Sequence, residues 1–250
     1  MMTTRGDIKV YSNPETLAAA VADIFIGVGQ TALCDRGVFR VALSGGNTPR
    51  RAYELLAQEP RSTALSWKDV FVYFGDERCV PPEDEQSNYR MASKAFLDHV
   101  PIPHANVHRI RGEADPGVAA NNYASIIRTD LADPPHFDLV LLGLGPDGHT
   151  ASLFPGSPPD LHDSVLVRAV YAESQAMWRV TMTPKLINLG RTVVFAVEGA
   201  EKADILAKVI EGPVDPTKYP AQIVRPLSGH LLWMVDELAA GMLRPKTASP

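Results

Sequence analysis

His149 follows Asp147 by two residues in the segment from Phe137 to Pro155, FDLVLLGLGPDGHTASLFP. A neutral imidazole is the usual general base near neutral pH, and a carboxylate this close can fix its tautomer. The same pair also admits a structural reading, with His149 capping a short helix and Asp147 forming an Asx turn. Gly143, Gly145 and Gly148 let the backbone turn sharply and approach a ligand closely. GLGPDG also satisfies the dinucleotide pattern G-x-G-x-x-G. That pattern requires a clean following helix and an acidic residue ending the next strand. Here Pro155 intervenes early, and Glu173 lies beyond a Pro-rich loop.

Three other segments carry groups suited to an anionic ligand. SGGNTP, Ser44 to Pro49, joins an apolar strand to a helix. Gly45 and Gly46 permit close backbone approach, Ser44 and Thr48 add hydroxyls, and Asn47 lies between. A helix start there would offer unsatisfied N–H groups to a phosphate, or the glycines only shape a tight turn. No Lys follows in the Walker position. GDER, Gly75 to Arg78, places Asp76 and Arg78 after another strand. Arg78 suits an anionic oxygen, and Asp76 suits a hydroxyl or a transferred proton; a solvated local ion pair is the bland alternative. GAEKADIL, Gly199 to Leu206, puts Lys202 in the first turn of a helix, where a cation opposes the dipole unless it meets an anion. Arg179 and Arg225 are weaker candidates, each compatible with an ordinary surface arginine. Nothing lowers the pKa of Cys79, so it reads as a bystander.

The elements that must position these groups alternate. Strands are expected at Ile8 to Tyr11, Val38 to Leu43, Val70 to Phe74, Phe137 to Leu142, Ser164 to Tyr171, Trp178 to Thr183 and Thr192 to Val197. Helices are expected from Pro14 to Leu33 with Asn13 as cap, Arg50 to Ala57, Ser87 to Leu97, Asp115 to Leu131, Pro184 to Leu189, Gly199 to Glu211 and Gly229 to Ala240. The alternation predicts an α/β fold with a mostly parallel sheet covered on both faces. The loops after Leu43, Phe74, Leu142 and Val197 then share one sheet edge.

The 250 residues, 45% hydrophobic, suffice for a substantial core, and no linker-like shift divides them, so residues 1–250 read as one domain with a frayed tail after Leu243. A net charge of -5 with no block of like charges weighs against nucleic acid as a partner. Cys34 and Cys79 read as free thiols in a reducing cytosol. The N-terminus lacks a secretory h-region, and no uninterrupted apolar run approaches bilayer length, so a cytoplasmic protein without a membrane partner is expected. No metal-ligand spacing is present.

SGGNTP, GDER with SNY at Ser87 to Tyr89, GLGPDGHTASLFPGS and GAEKADIL resemble, in the same order, the 6-phosphogluconolactonases, relatives of the glucosamine-6-phosphate isomerases (deaminases). The likeness runs from about residue 10 to residue 240, and RVTMTP from Arg179 and LLWMVD also fit it. The resemblance implies a Rossmann-like three-layer α/β/α fold. It implies hydrolysis of 6-phosphoglucono-1,5-lactone in the oxidative pentose phosphate pathway, without metal or organic cofactor. His149 would activate water, backbone N–H groups of the Gly143 to Gly148 loop would stabilise the oxyanion, and Ser44, Gly45, Gly46, Arg78, Arg179 and Lys202 would surround the phosphate or sugar. The roles of Arg179 and Lys202 lean partly on the deaminases.

Two alternatives are separable. The deaminases resemble HIAFNEP after the His, with a Glu that supports it in ring opening, and GGTP in the phosphate turn. This chain has HTASLFPGSP, with no acidic residue before Asp160, and GGNTP. A sugar-phosphate-sensing DNA binder of this fold would carry a helix-turn-helix module, for which residues 1 to 9 leave no space. The expected partner is a small sugar-phosphate lactone, and the expected assembly a monomer or weak homo-oligomer.

Overall fold

Runs such as FRVAL and LVLL are apolar on both faces, so they are stable only as interior strands of a sheet covered twice. A computed structural model of the chain describes residues 5–131, 133–156 and 165–244. The main sheet comprises β1 (Asp7–Tyr11), β2 (Phe39–Leu43), β3 (Val70–Phe74), β5 (Val107–His108), β6 (Leu139–Leu142), β9 (Thr192–Val197) and β10 (His230–Asp236). Its order is β1-β10-β9-β6-β2-β3-β5, with every pairing parallel. A small antiparallel sheet, β4-β8-β7, is built from β4 (Asp76–Arg78), β7 (Val167–Ala172) and β8 (Met177–Met182). The helices are α1 (Pro14–Arg36), α2 (Asn47–Leu56), α3 (Asn88–Ala95), α4 (Pro116–Asp130), α5 (Pro184–Ile187) and α6 (Ala203–Glu211). They flank the main sheet in the expected α/β/α layering.

Local signals set most boundaries. Asn13 caps α1 by accepting the Thr16 N–H at 2.9 Å, and Gly37 stops it at φ 71°, donating its N–H to Leu33 O. Ser87 and Asp115 cap α3 and α4 through the N–H groups of Arg90 and Val118. α1 is long and apolar enough to cross a bilayer by length and composition, with mean hydropathy 1.7, although Asp23 interrupts its apolar run. One face explains that composition. Leu17, Val21, Phe25 and Ile26 are buried in the core, and each such side chain contributes about 1.5–3 kcal/mol.

Three expectations are corrected. The segment from Gly229 to Ala240 is not a helix but contains strand β10, lying between β1 and β9. Leu232, Val235, Leu238 and Ala239 mimic a helical stripe, but a strand buried on both faces loses the period of two. Trp233 instead faces Phe195 in register, with the rings stacked at 3.9 Å and 7°. GDER is not a free loop, since Asp76–Arg78 pairs with β8. α2 starts at Asn47, before the expected Arg50. The strand expected from Ser164 is described only from its later residues, as β7; Ser164 lies outside the described residues, as does the tail after Arg244.

Candidate active site

The chain leaves β2 toward β3 on one side, and leaves β6 toward β9 on the other. A crevice forms at such a switch point, beyond the carboxyl ends of the strands. Here it is a cleft of about 380 Å³. Ser44, Gly45, Gly46, Asn47 and Thr48 line it from β2 and α2, Asp76 and Arg78 from β4, His149 from the loop after β6, and Lys202 from the turn before α6. Nine residues expected at a site therefore meet on one edge. Asp147 lies behind His149, and Arg179 does not reach the cleft wall.

The turn after β2 is held by a buried tyrosine of α2. The Ser44 N–H donates to Tyr53 Oη at 3.1 Å, and the Tyr53 hydroxyl donates to Ser44 O at 3.0 Å. Gly46, at φ 107°, turns the chain into α2, and no side chain caps that helix. The N–H groups of its first turn, with the positive end of its dipole, remain available to an anion at the cleft. Gly45 has a steric reason as well: a Cβ there would come within 1.9 Å of Asn88 Oδ1.

The carboxylates of GDER divide their work. Glu77 is buried and accepts the N–H groups of Arg78 (2.8 Å), Asn88 (2.7 Å) and Tyr89 (2.8 Å) and the Ser87 hydroxyl (3.0 Å). It therefore builds the start of α3. Burial pushes its pKa up, and the three backbone donors oppose that. Asp76 faces the cleft, with Ser152 and Asn88 as donors. Arg78 is anchored through Nη1 to the Gln86 carbonyl. Its register partner Arg179 is 3% exposed and donates through Nη2 to Gln175. Burial first, and then the charge of Arg78, lower the Arg179 pKa from the usual arginine value.

The loop after β6 closes on itself. Gly145 N–H donates to His149 O at 2.8 Å, and Gly148 N–H to Gly145 O at 3.1 Å. Of the Gly143 to Gly148 loop, whose amides are expected to include oxyanion donors, these two are turned inward. Asp147 Oδ1 accepts the His149 backbone N–H at 3.1 Å and lies 2.5 Å from Nδ1 of the same residue. The Asx turn and the carboxylate–imidazole contact, posed as alternatives, coexist. An ionised carboxylate can only accept, so Nδ1 carries the proton and Nε2 keeps a lone pair. Burial raises the Asp147 pKa, but the His149 N–H and the imidazole outweigh it, and the group is held below the usual carboxylate value. The Phe154 ring backs the imidazole at 5.1 Å. Among the described residues that follow, through Gly156, no helix starts for His149 to cap.

Sequence reasoning missed Asn88, Ser152, Glu198 and Glu201. Asn88 stood within SNY, and the two acids both precede Lys202 in VEGAEK. Ser152 carried no local signal. Arg225 uses its backbone N–H on Asn188 and does not line the cleft. Among the described residues no group of three or more His, Cys, Asp or Glu could hold a metal.

A doubly wound parallel sheet, an uncapped helix start and a carboxylate-held imidazole on one edge make an α/β protein with its candidate site at the topological switch point. The chain belongs to the glucosamine-6-phosphate isomerases/6-phosphogluconolactonase family, whose model matches residues 12–233. It is 43% identical to a 6-phosphogluconolactonase of Synechocystis sp. over 86% of this chain and 88% of that one. It is similar to the solved structure of 6-phosphogluconolactonase from Trypanosoma brucei, with TM-score 0.87 and 28% identity, covering 97% of this chain and 100% of that one. A monomeric glucosamine-6-phosphate deaminase shares the fold at TM-score 0.82 and 19% identity, covering 94% and 99%.

Proposed function

We propose that this chain hydrolyses 6-phosphoglucono-1,5-lactone to 6-phosphogluconate, the lactone-opening step of the oxidative pentose phosphate pathway, with His149 as the general base. The observation that carries this reading is the 2.5 Å contact between His149 Nδ1 and Asp147, with the ring on a cleft whose other wall is the uncapped start of α2. The names of the relatives support the substrate class.

The phosphate sits at the first turn of α2, where Ser44 to Thr48 meet the positive end of the dipole. Arg78 and Lys202 add cationic donors along the same cleft. His149 Nε2 takes a proton from water as the water oxygen attacks the lactone carbonyl. Asp147 stabilises the imidazolium that forms. The tetrahedral intermediate then expels the ring oxygen, which takes the proton back from Nε2 and becomes the 5-hydroxyl. One water is consumed and no redox change occurs. A positioned base of this kind contributes typically 10²–10⁴-fold.

The residues after His149 support hydrolysis over deamination. Thr150 donates its hydroxyl to Gly143 O at 2.8 Å, Ser152 donates to Asp76, and no carboxylate from this stretch backs the imidazole. The test is to generate the lactone from glucose 6-phosphate and measure its decay against spontaneous hydrolysis, beside ammonia release from glucosamine 6-phosphate. Catalysed lactone decay that is lost in His149→Ala is expected. Wild-type turnover by that variant, or ammonia release at a comparable rate, would overturn the reading.

A further inference from the structure

We propose that Asp76 is a positioning residue that locks the His149 loop to the phosphate turn, acting through Ser152 on one side and Asn88 on the other. The inference rests on the lactonase reading of the cleft.

The Asp76 carboxylate touches both halves of the site. Its Oδ2 accepts the Ser152 hydroxyl at 2.6 Å. Its Oδ1 accepts Asn88 Nδ2 at 3.3 Å, and its carbonyl accepts the same amide at 2.9 Å. Asn88 in turn presses on Gly45, where a Cβ would lie 1.9 Å from Asn88 Oδ1. One side chain therefore joins the turn that cradles the phosphate to a residue three positions after His149.

Ser152 is held twice. Besides the bond to Asp76, its N–H donates to Thr181 Oγ1 at 3.2 Å, and Thr181 is the register partner of Asp76 across β4 and β8. All three residues are buried. Between His149 and Ser152, Ala151 adopts φ 47°, in the left-handed region that a residue with a Cβ seldom occupies. Such a conformation persists only where the surroundings over-determine it. The two bonds to Ser152 are that constraint, and the serine–carboxylate bond is of the strong, charge-assisted kind. Both Asp76 oxygens are engaged by the protein, so the small antiparallel sheet acts as a brace for the base loop.

The test combines lactone kinetics, 6-phosphogluconate binding by calorimetry and thermal melting on S152A, D76N, D76A and the S152A/D76A pair. S152A, which leaves a buried carboxylate oxygen without its donor, is expected to melt a few degrees below wild type yet bind 6-phosphogluconate as wild type does, while kcat falls about 10- to 100-fold, the scale of an ångström-level misplacement. D76N, whose amide can still bond Ser152, is expected to lose less than D76A and to keep both limbs of the wild-type pH profile. Residues acting as a unit are non-additive, so the double variant is expected to be no slower than D76A. Wild-type kcat in S152A, or a D76N enzyme missing one limb of the pH profile, overturns the proposal. If wild type itself does not hydrolyse the lactone, the lactonase reading fails separately. The brace is then judged by the NMR signals of the His149 imidazole, which S152A shifts if it holds and leaves unchanged if it does not.

Discussion

Gly145 passes so close to the His149 ring that a Cβ on it would lie 2.1 Å from Nδ1. The glycine is therefore a space requirement of the base. Gly145→Ala is expected to push the imidazole off Asp147 and lower kcat by on the order of 10²-fold, with little change in melting temperature. Kinetics and a melting curve on the purified variant check this, and unchanged kcat would show that the ring has room to spare.

Asp147 serves both the backbone and the ring of His149. In Asp147→Asn, an amide oxygen in the Oδ1 position can keep both contacts but brings no charge to stabilise the imidazolium that forms. The expected loss in kcat is on the order of 10²-fold or more, as when a triad carboxylate is made an amide. The folded-state pKa of Asp147 lies below its ordinary value. Its contribution to stability is thus full above the unfolded value of about 3.9 and is lost as pH falls through the lower folded value. Melting curves of wild type and Asp147→Asn are expected to differ at pH 6 and to converge in strong acid.

Glu77 collects four donors at the start of α3. Glu77→Ala leaves them buried without an acceptor, at a cost of roughly 3 kcal/mol. For a chain of this size that lowers the melting temperature by roughly 6–12 °C. Because Asn88 and Arg78 move with this segment, KM for the lactone is also expected to rise.

His108 stacks on Tyr73 at 4.6 Å, lies 3.4 Å from Asp130, and buries its Nε2 without a partner. Burial lowers its pKa, although Asp130 opposes that. The unfolded chain then binds the proton more readily, so this group costs stability as pH falls below about 6.5. His108→Phe keeps the stack and is expected to shift the acid-unfolding midpoint to lower pH. An unchanged or raised midpoint would count against this account.

Cys34 is exposed, whereas the thiol of Cys79 is pushed up to about 11, chiefly by burial. A chromogenic disulfide at pH 8 is expected to titrate one thiol rapidly and the second only on denaturation, with lactone turnover intact after the first. Fast modification of Cys79 would contradict its placement.

Read alone, the sequence determined the features whose cause is local. Asn13, Ser87 and Asp115 announce helix starts because a short polar side chain there satisfies a free N–H. Apolar runs ending in glycine announced β2, β6 and the loops beyond them, and parallel order placed those loops on one edge. Asp147 and His149 were legible because both alternatives for them act within two residues. Tertiary structure alone decided what depends on distant partners. Trp233 belongs to a strand because Phe195 faces it, and no local period reveals a strand buried on both sides. The buried contacts of Arg179, and the meeting of Asp76, Asn88, Ser152 and Thr181, arise from pairing β4 with β8. Their partners are not legible in their own segments, because a hydrogen bond across such separations leaves no mark on the neighbours of either residue.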